Sequence, residues 1–323
     1  NIYHLYITFG IITGGGLGIV FVPVTTIINE YFTTKRTLAF GIVTSGFGVG
    51  TFLYPPLIDV LNKEYGWRGA LLILSGIGLN ICVCGALMHP FRTNNKLVVE
   101  TDKNKTVFNL KILKSFNFSI LCFNFLMFYF GLSIVFTHLS EYSGLMGIGE
   151  TESAMLFSAY GVTNLIGKIS FGVIANHPKA NDLLLYTITL FICGLATVLV
   201  PLLTQYGTLL AYSGAFGLFS STVGVLAPGI VCQMLGPDEL ATGYGVLLPF
   251  SAFGKLLGGP VAGFMYDSLH SYNASFFVGG GAIITSALCM VVPYLRLRKK
   301  HSHRALEAVI EKLQPLMDDT LKM

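Results

Sequence analysis

Nine stretches of this chain are each long and apolar enough to cross a bilayer, and that limits the fold more than any other feature. A bilayer core takes roughly 20 apolar residues per helix. The stretches are 3–28, 38–60, 68–88, 115–138, 153–175, 182–203, 208–232, 241–266 and 275–295. They are too long for barrel strands and do not alternate. Of the 323 residues, 53% are hydrophobic and 11% charged, where a soluble domain carries roughly 25% charged residues. A single soluble core cannot hide that much apolar surface, so the sequence predicts an all-α polytopic membrane protein. The 37 glycines suit this class, because small residues let membrane helices approach closely. The six cysteines, at 82, 84, 122, 193, 232 and 289, all fall inside apolar stretches. They read as free buried thiols rather than a disulfide framework or a metal site.

Orientation follows from lysine and arginine in the connections. Sixteen of the twenty lie on one side: Lys35 and Arg36, six between Arg92 and Lys114, Lys179, and seven after residue 295. The other side holds Lys63 and Arg68, and the remaining two, Lys168 and Lys255, lie inside apolar stretches. The split predicts a cytoplasmic C-terminal tail and an external Asn1. The one long polar connection divides three spans from six. Residues 1–90 are therefore read as three helices of a first bundle and 91–114 as a cytoplasmic linker. Residues 115–295 form a six-helix second bundle, and 296–323 a basic cytoplasmic tail. In that tail Leu306, Val309, Ile310 and Leu313 share one helical face, which suits a short helix on the membrane surface; a solvated tail fits equally. Sliding the chain by 204 positions pairs Phe40 with Tyr244, Gly41 with Gly245, Gly50 with Gly254 and Pro56 with Pro260. That register suggests a parallel repeat, in which the last three spans repeat the first three.

YFTTKRTLAFGIVTSG (31–46) resembles the signature of the monocarboxylate transporter family of the major facilitator superfamily. Tyr31, Phe32, Lys35, Arg36, Leu38, Ala39, Gly41, Ser45 and Gly46 match, while Thr34 and Val43 depart from it. GGGLG (14–18), YGWRGALLILSG (65–76), GALMHP (85–90) and GGPVAGFMYD (258–267) are similar to the same family in the same order. The resemblance implies the major facilitator fold with nine transmembrane helices, the family's helices 4–12. It also implies a fragment lacking the first three helices, with the tryptophan-rich signature and the lysine of the family's first helix. Such a chain is not expected to transport as it stands. Of the matched residues, Lys35 and Arg36 read as topology determinants on a tight turn, able to meet anionic lipid. Gly41 and Gly46 read as packing positions. Asp59 near one span end can pair with Arg68 or stay solvated.

By the resemblance, 153–175 is the family's eighth helix, where an aspartate is followed four residues later by an arginine. Here those positions hold Asn164 and Lys168, and i, i+4 spacing puts both on one helix face. The family role carried over to Lys168 is to hold a substrate carboxylate; lysine keeps the charge but loses the bidentate fork. Asparagine cannot exchange a proton, so the family's proton coupling is expected to be lost. Lys255 falls on the family's eleventh helix, and the pair of cations is similar to that of bacterial oxalate–formate exchangers.

A charge at mid-bilayer costs roughly 2.5–3.5 kcal/mol on insertion scales, so it needs water or a partner. An anionic substrate is one partner. Snorkelling of Lys168 toward the near interface is the other reading, as is a pairing of Lys255 with Asp59. Tyr160, one turn before Asn164, is a candidate cavity residue or a packing residue. Asn124 is a candidate site residue or a bond between helices. His138 ends an apolar span and reads as a cap more readily than as a proton relay.

The function expected is a plasma-membrane carrier of small organic anions, working by alternating access without obligatory proton symport. No bond chemistry, cofactor, metal or nucleic acid is implied; lipid and a single-span accessory glycoprotein are the further partners considered. A carrier of neutral or zwitterionic solutes and a non-transporting sensor are the alternatives.

Overall fold

In hydrocarbon every backbone N–H and C=O must be satisfied within the protein, and a helix does this within a single segment. The computed structural model follows that rule. It describes residues 2–32, 36–88, 110–177, 180–236 and 239–320, and among these there is no strand. α1 (Ile2–Leu5) runs through a π-helical stretch, Tyr6–Thr13, into α2 (Gly14–Tyr31). α3 covers Arg36–Gly78 and α4 Asn80–Leu87. A 3-10 turn at Leu110–Lys114 leads into α5 (Phe116–Leu145), followed by α6 (Glu150–Ala175) and α7 (Asp182–Val198). After a second 3-10 turn come α8 (Tyr206–Leu235), α9 (Leu240–Leu269) and α10 (Asn273–Thr320).

Three local features differ from the sequence expectation. The stretch 38–60 and the first half of 68–88 join in the long element α3, broken inside only at Gly66, whose φ of 67° and ψ of 170° turn the chain; the second half of 68–88 is α4. A left-handed φ is open to glycine because it has no β-carbon. The tail backbone continues α10 to Thr320 and does not form a separate helix. Among the described residues, six helices are long and apolar enough to cross a membrane, where nine stretches were expected. α7 is apolar but shorter. α6 is a continuous helix of 26 residues whose apolar run holds the polar Thr163, Asn164 and Lys168. The linker 91–109 lies outside the described residues. So do Lys35 and the side chains of Arg36, Asp59 and the distal tail, and with them the expected Asp59–Arg68 pair and the apolar tail face.

Small residues set the helix crossings. α5 meets α9 where a β-carbon on Gly254 would fall 2.4 Å from the Leu126 carbonyl oxygen. α7 meets α10 at Gly194 and Gly280, and α5 meets α10 at Gly131. α6 lies against α8 at Gly217 and Gly167. On its other side α6 packs along α3: a β-carbon on Gly48 would lie 2.9 Å from the Gly161 oxygen, and one on Gly41 2.7 Å from the Lys168 oxygen. Gly41 thus has the packing role expected of it, whereas Gly46 meets nothing within 4 Å. Helix α6 packs most extensively between α3 and the rest of α5–α10, with α8 also touching α3, and it carries the lysine.

Candidate substrate site

The site begins with one turn of α6. Tyr160, Asn164 and Lys168, spaced four apart, are all buried. Lys168 is 5% exposed, and its Nζ donates to the Thr44 carbonyl oxygen of α3 at 2.6 Å. The same ammonium lies 5.0 Å from the centre of the Phe47 ring, a cation–π contact. Gly224 of α8 closes the third side; a β-carbon there would come within 3.6 Å of Lys168 Cε. Among the described residues no carboxylate pairs with Lys168. Among the described residues its charge is therefore met by one carbonyl dipole and one ring. The lysine does not snorkel: its head turns sideways into the seam between α3, α6 and α8.

Asn164 ties α6 to α8. Its Nδ2 donates to the Gly217 carbonyl at 3.1 Å and to the Tyr160 hydroxyl oxygen at 3.4 Å. A backbone carbonyl only accepts, so this contact sets which end of the amide is nitrogen. The Oδ1 of Asn164 is left buried with no hydrogen-bond partner. Ser220 of α8 also donates to the Tyr160 hydroxyl at 3.4 Å. The Tyr160 ring stands edge-on to Phe136 at 4.9 Å. Beyond it lies a cavity of about 10 Å³ between α5, α6 and α8, where the Ser213 hydroxyl is buried and unpartnered.

The other sequence candidates fall elsewhere. Asn124 is bonded at both ends of its amide: Nδ2 donates to the Ser286 carbonyl at 2.8 Å, and Oδ1 accepts from the Tyr186 hydroxyl at 2.7 Å. It joins α5, α7 and α10, and of the two roles considered the geometry is that of a bond between helices. Lys255 is exposed on α9, with Nζ 4.9 Å from the Tyr129 ring centre on α5. Its neighbours are not those of Lys168. Arg68 is exposed, its guanidinium 5.1 Å from the Trp67 ring.

Sequence reasoning missed Thr44, Phe47, Gly224 and Ser220. Thr44 acts through its carbonyl, a group every residue has, so no side-chain pattern marks it. The glycines of α3 and α6 were the available signal, because backbone must come close where a lysine bonds a neighbouring helix.

The family model of the Major Facilitator Superfamily matches residues 1–207 and 182–320. Monocarboxylate transporter 12 of Xenopus laevis is 30% identical over 329 residues, covering 94% of this chain and 72% of that protein. Human monocarboxylate transporter 12 is 29% identical, covering 98% and 67%; human monocarboxylate transporter 14 is 27% identical, covering 95% and 76%. The crystal structure of the human organic anion transporter MFSD10 (TETRAN) superposes with a TM-score of 0.60 at 16% identity. That match covers 82% of this chain and 66% of the solved one, and it speaks for the fold alone. With its helical membrane architecture, its signature at residues 31–46 and these relatives, the chain belongs to the monocarboxylate transporters of the Major Facilitator Superfamily, a family of multi-pass membrane transporters and not of enzymes.

Proposed function

We propose that this protein carries a small organic anion of the monocarboxylate type by alternating access, with Lys168 as the cation that receives the carboxylate. The observation that supports this most is the state of Lys168: a buried ammonium held by a carbonyl and a ring, with no described carboxylate beside it. A substrate carboxylate offers a charge-assisted hydrogen bond about twice as strong as a neutral one. It would draw the ammonium from the Thr44 carbonyl and so release a bond that joins α3 to α6. Binding would thereby loosen the contact across which the two bundles rock. Tyr160 and Asn164 shape the neighbouring wall, and the unpartnered Asn164 Oδ1 is placed to accept a donor from the substrate. Asn164 carries no titratable proton, which favours exchange or facilitated diffusion over obligatory proton symport. Lys255, exposed and remote in its contacts, has an accessory part at most. The relatives' name, monocarboxylate transporter, agrees with this substrate class and with a place in the plasma membrane, and the charge asymmetry of the connections favours a C-terminal tail in the cytoplasm.

Uptake of labelled lactate, pyruvate and succinate by cells expressing the protein together with the three preceding helices that the family resemblance implies tests the proposal. Saturable monocarboxylate uptake that falls at least about tenfold in Lys168→Gln, the equivalent of one charge-assisted bond, is expected. Unchanged saturable uptake in that variant would remove Lys168 from the mechanism. Competition only by neutral or zwitterionic solutes would replace the substrate class.

A further inference from the structure

At the end of α5 far from Ser115, both ring nitrogens of His138 face atoms that accept hydrogen bonds. Nδ1 lies 3.3 Å from Glu141 Oε2, and Nε2 lies 3.4 Å from the Gly259 carbonyl oxygen on α9. A neutral imidazole has one N–H. Beside an ionised carboxylate it can satisfy one of these contacts, and it sets a lone pair against the other. Two arrangements satisfy both: an imidazolium facing the carboxylate, or a neutral ring accepting from a protonated Glu141. Each holds one proton more than the neutral ring with the ionised acid.

The surroundings bind this pair into the fold. Tyr272, in the turn between α9 and α10, donates to the same Glu141 Oε2 at 2.5 Å. Burial, and then that carboxylate, push the Tyr272 hydroxyl well above its usual range, so it stays a donor. The Tyr272 ring lies 5.2 Å from His138 and stacks on Tyr266 of α9 at 4.1 Å. His138 is buried, whereas the Glu141 side chain is 59% exposed and gives the pair a path to bulk water. The titratable groups around the site are Glu141 on α5, Tyr266 and Asp267 on α9, and Tyr272 in the turn. On this stretch α10 brings Phe276, against Tyr142, and Ser275, whose hydroxyl donates to the Ala262 carbonyl of α9, and α6 brings Ser153, bound to Ser143; none of these is an acid or a base.

We propose that His138 and Glu141 form a single-proton site that clasps α5 to α9 and to the α9–α10 turn, tightening on proton uptake and loosening on release. It gives the protein a proton-responsive element apart from α6, where Asn164 cannot titrate. A closed state that binds one more proton is favoured as pH falls. The clasp is thus closed at lower pH and slack at higher pH.

Hydrogen–deuterium exchange of the full chain in detergent micelles, at about pH 5.5 and about pH 8 and corrected for intrinsic rates, reads this directly. Peptides across 258–276 should lose about tenfold in protection at the higher pH, the scale of one hydrogen bond. His138→Gln and Glu141→Gln should each flatten that difference, while His270→Asn, at the exposed α9 terminus, should preserve it. Equal protection of the unmodified protein at both pH values overturns the proposal without any variant. So does a difference that survives in either His138→Gln or Glu141→Gln.

Discussion

The apolar helices of α3–α4 and the helix α8 are built from similar residues but meet different surroundings. In the span Val60–Leu87, 6% of the most apolar window is buried inside the protein; in Tyr206–Leu235 the share is 67%. Among the described residues, 2–88 contribute Ile28, Ala39, Phe40, Leu61 and Ala70 to the buried hydrophobic set; the first three join the continuous core, most of which lies in α5–α10. Apolar character therefore says that a helix belongs in a membrane but not which neighbour it touches. Lipid and protein interior are equally apolar, so the neighbours are chosen by shape and by hydrogen bonds.

The sharpest way to break this contrast is to place the same bulk in both regions. Gly254→Val puts branched carbons where a β-carbon alone would meet the Leu126 carbonyl at 2.4 Å, while Gly85→Val enters open space. Overpacking costs typically about 1–3 kcal/mol and rises when backbone must shift. Gly254→Val should lose most of the monodisperse peak in fluorescence size-exclusion chromatography, and Gly85→Val should keep it. Equal profiles would mean that the α5–α9 crossing is not tight.

Lys168 and Lys255 provide the second comparison, buried against exposed. Lys168→Met replaces a buried charge that has only a carbonyl and a ring as partners, a change that is often neutral or stabilising. Its melting temperature should hold or rise while uptake disappears; Lys255→Met should change uptake by less than about threefold, well under one kcal/mol. A fall in stability for Lys168→Met would show that the lysine serves the seam between α3 and α6 before it serves substrate.

Asn124 and Asn164 contrast a committed amide with an open one. Asn124→Ala strands the Tyr186 hydroxyl and removes the second bond to the Ser286 carbonyl, and interhelical bonds of this kind are worth roughly 0.6–1.7 kcal/mol. Thermal melts should show that loss with apparent substrate affinity unchanged. Asn164→Ala should move affinity as well. The smallest effect belongs to Arg68→Ala, which removes an exposed contact with Trp67 worth about 0.5 kcal/mol and should leave both melting and uptake within error.

Much of the helical framework was legible in the sequence. The stretch 115–138 is the core of Phe116–Leu145, and 208–232 lies within Tyr206–Leu235, because apolar length is written residue by residue. The turn between 60 and 68 was visible as a polar interval, but its shape rests on one dihedral at Gly66. Lys168 was legible as a charge out of place, and its company with Tyr160 and Asn164 follows from helical spacing.

What the amino-acid order determined, then, is the class, the helices and the odd cation, since hydrophobicity and helical period are local properties. The tertiary structure alone decided that Lys168 leans on the Thr44 carbonyl, 124 positions away. It alone decided that Asn124 is spent on packing and that His138 sits between two acceptors. These depend on which backbone atoms approach across a crossing, and a carbonyl has no letter in the sequence.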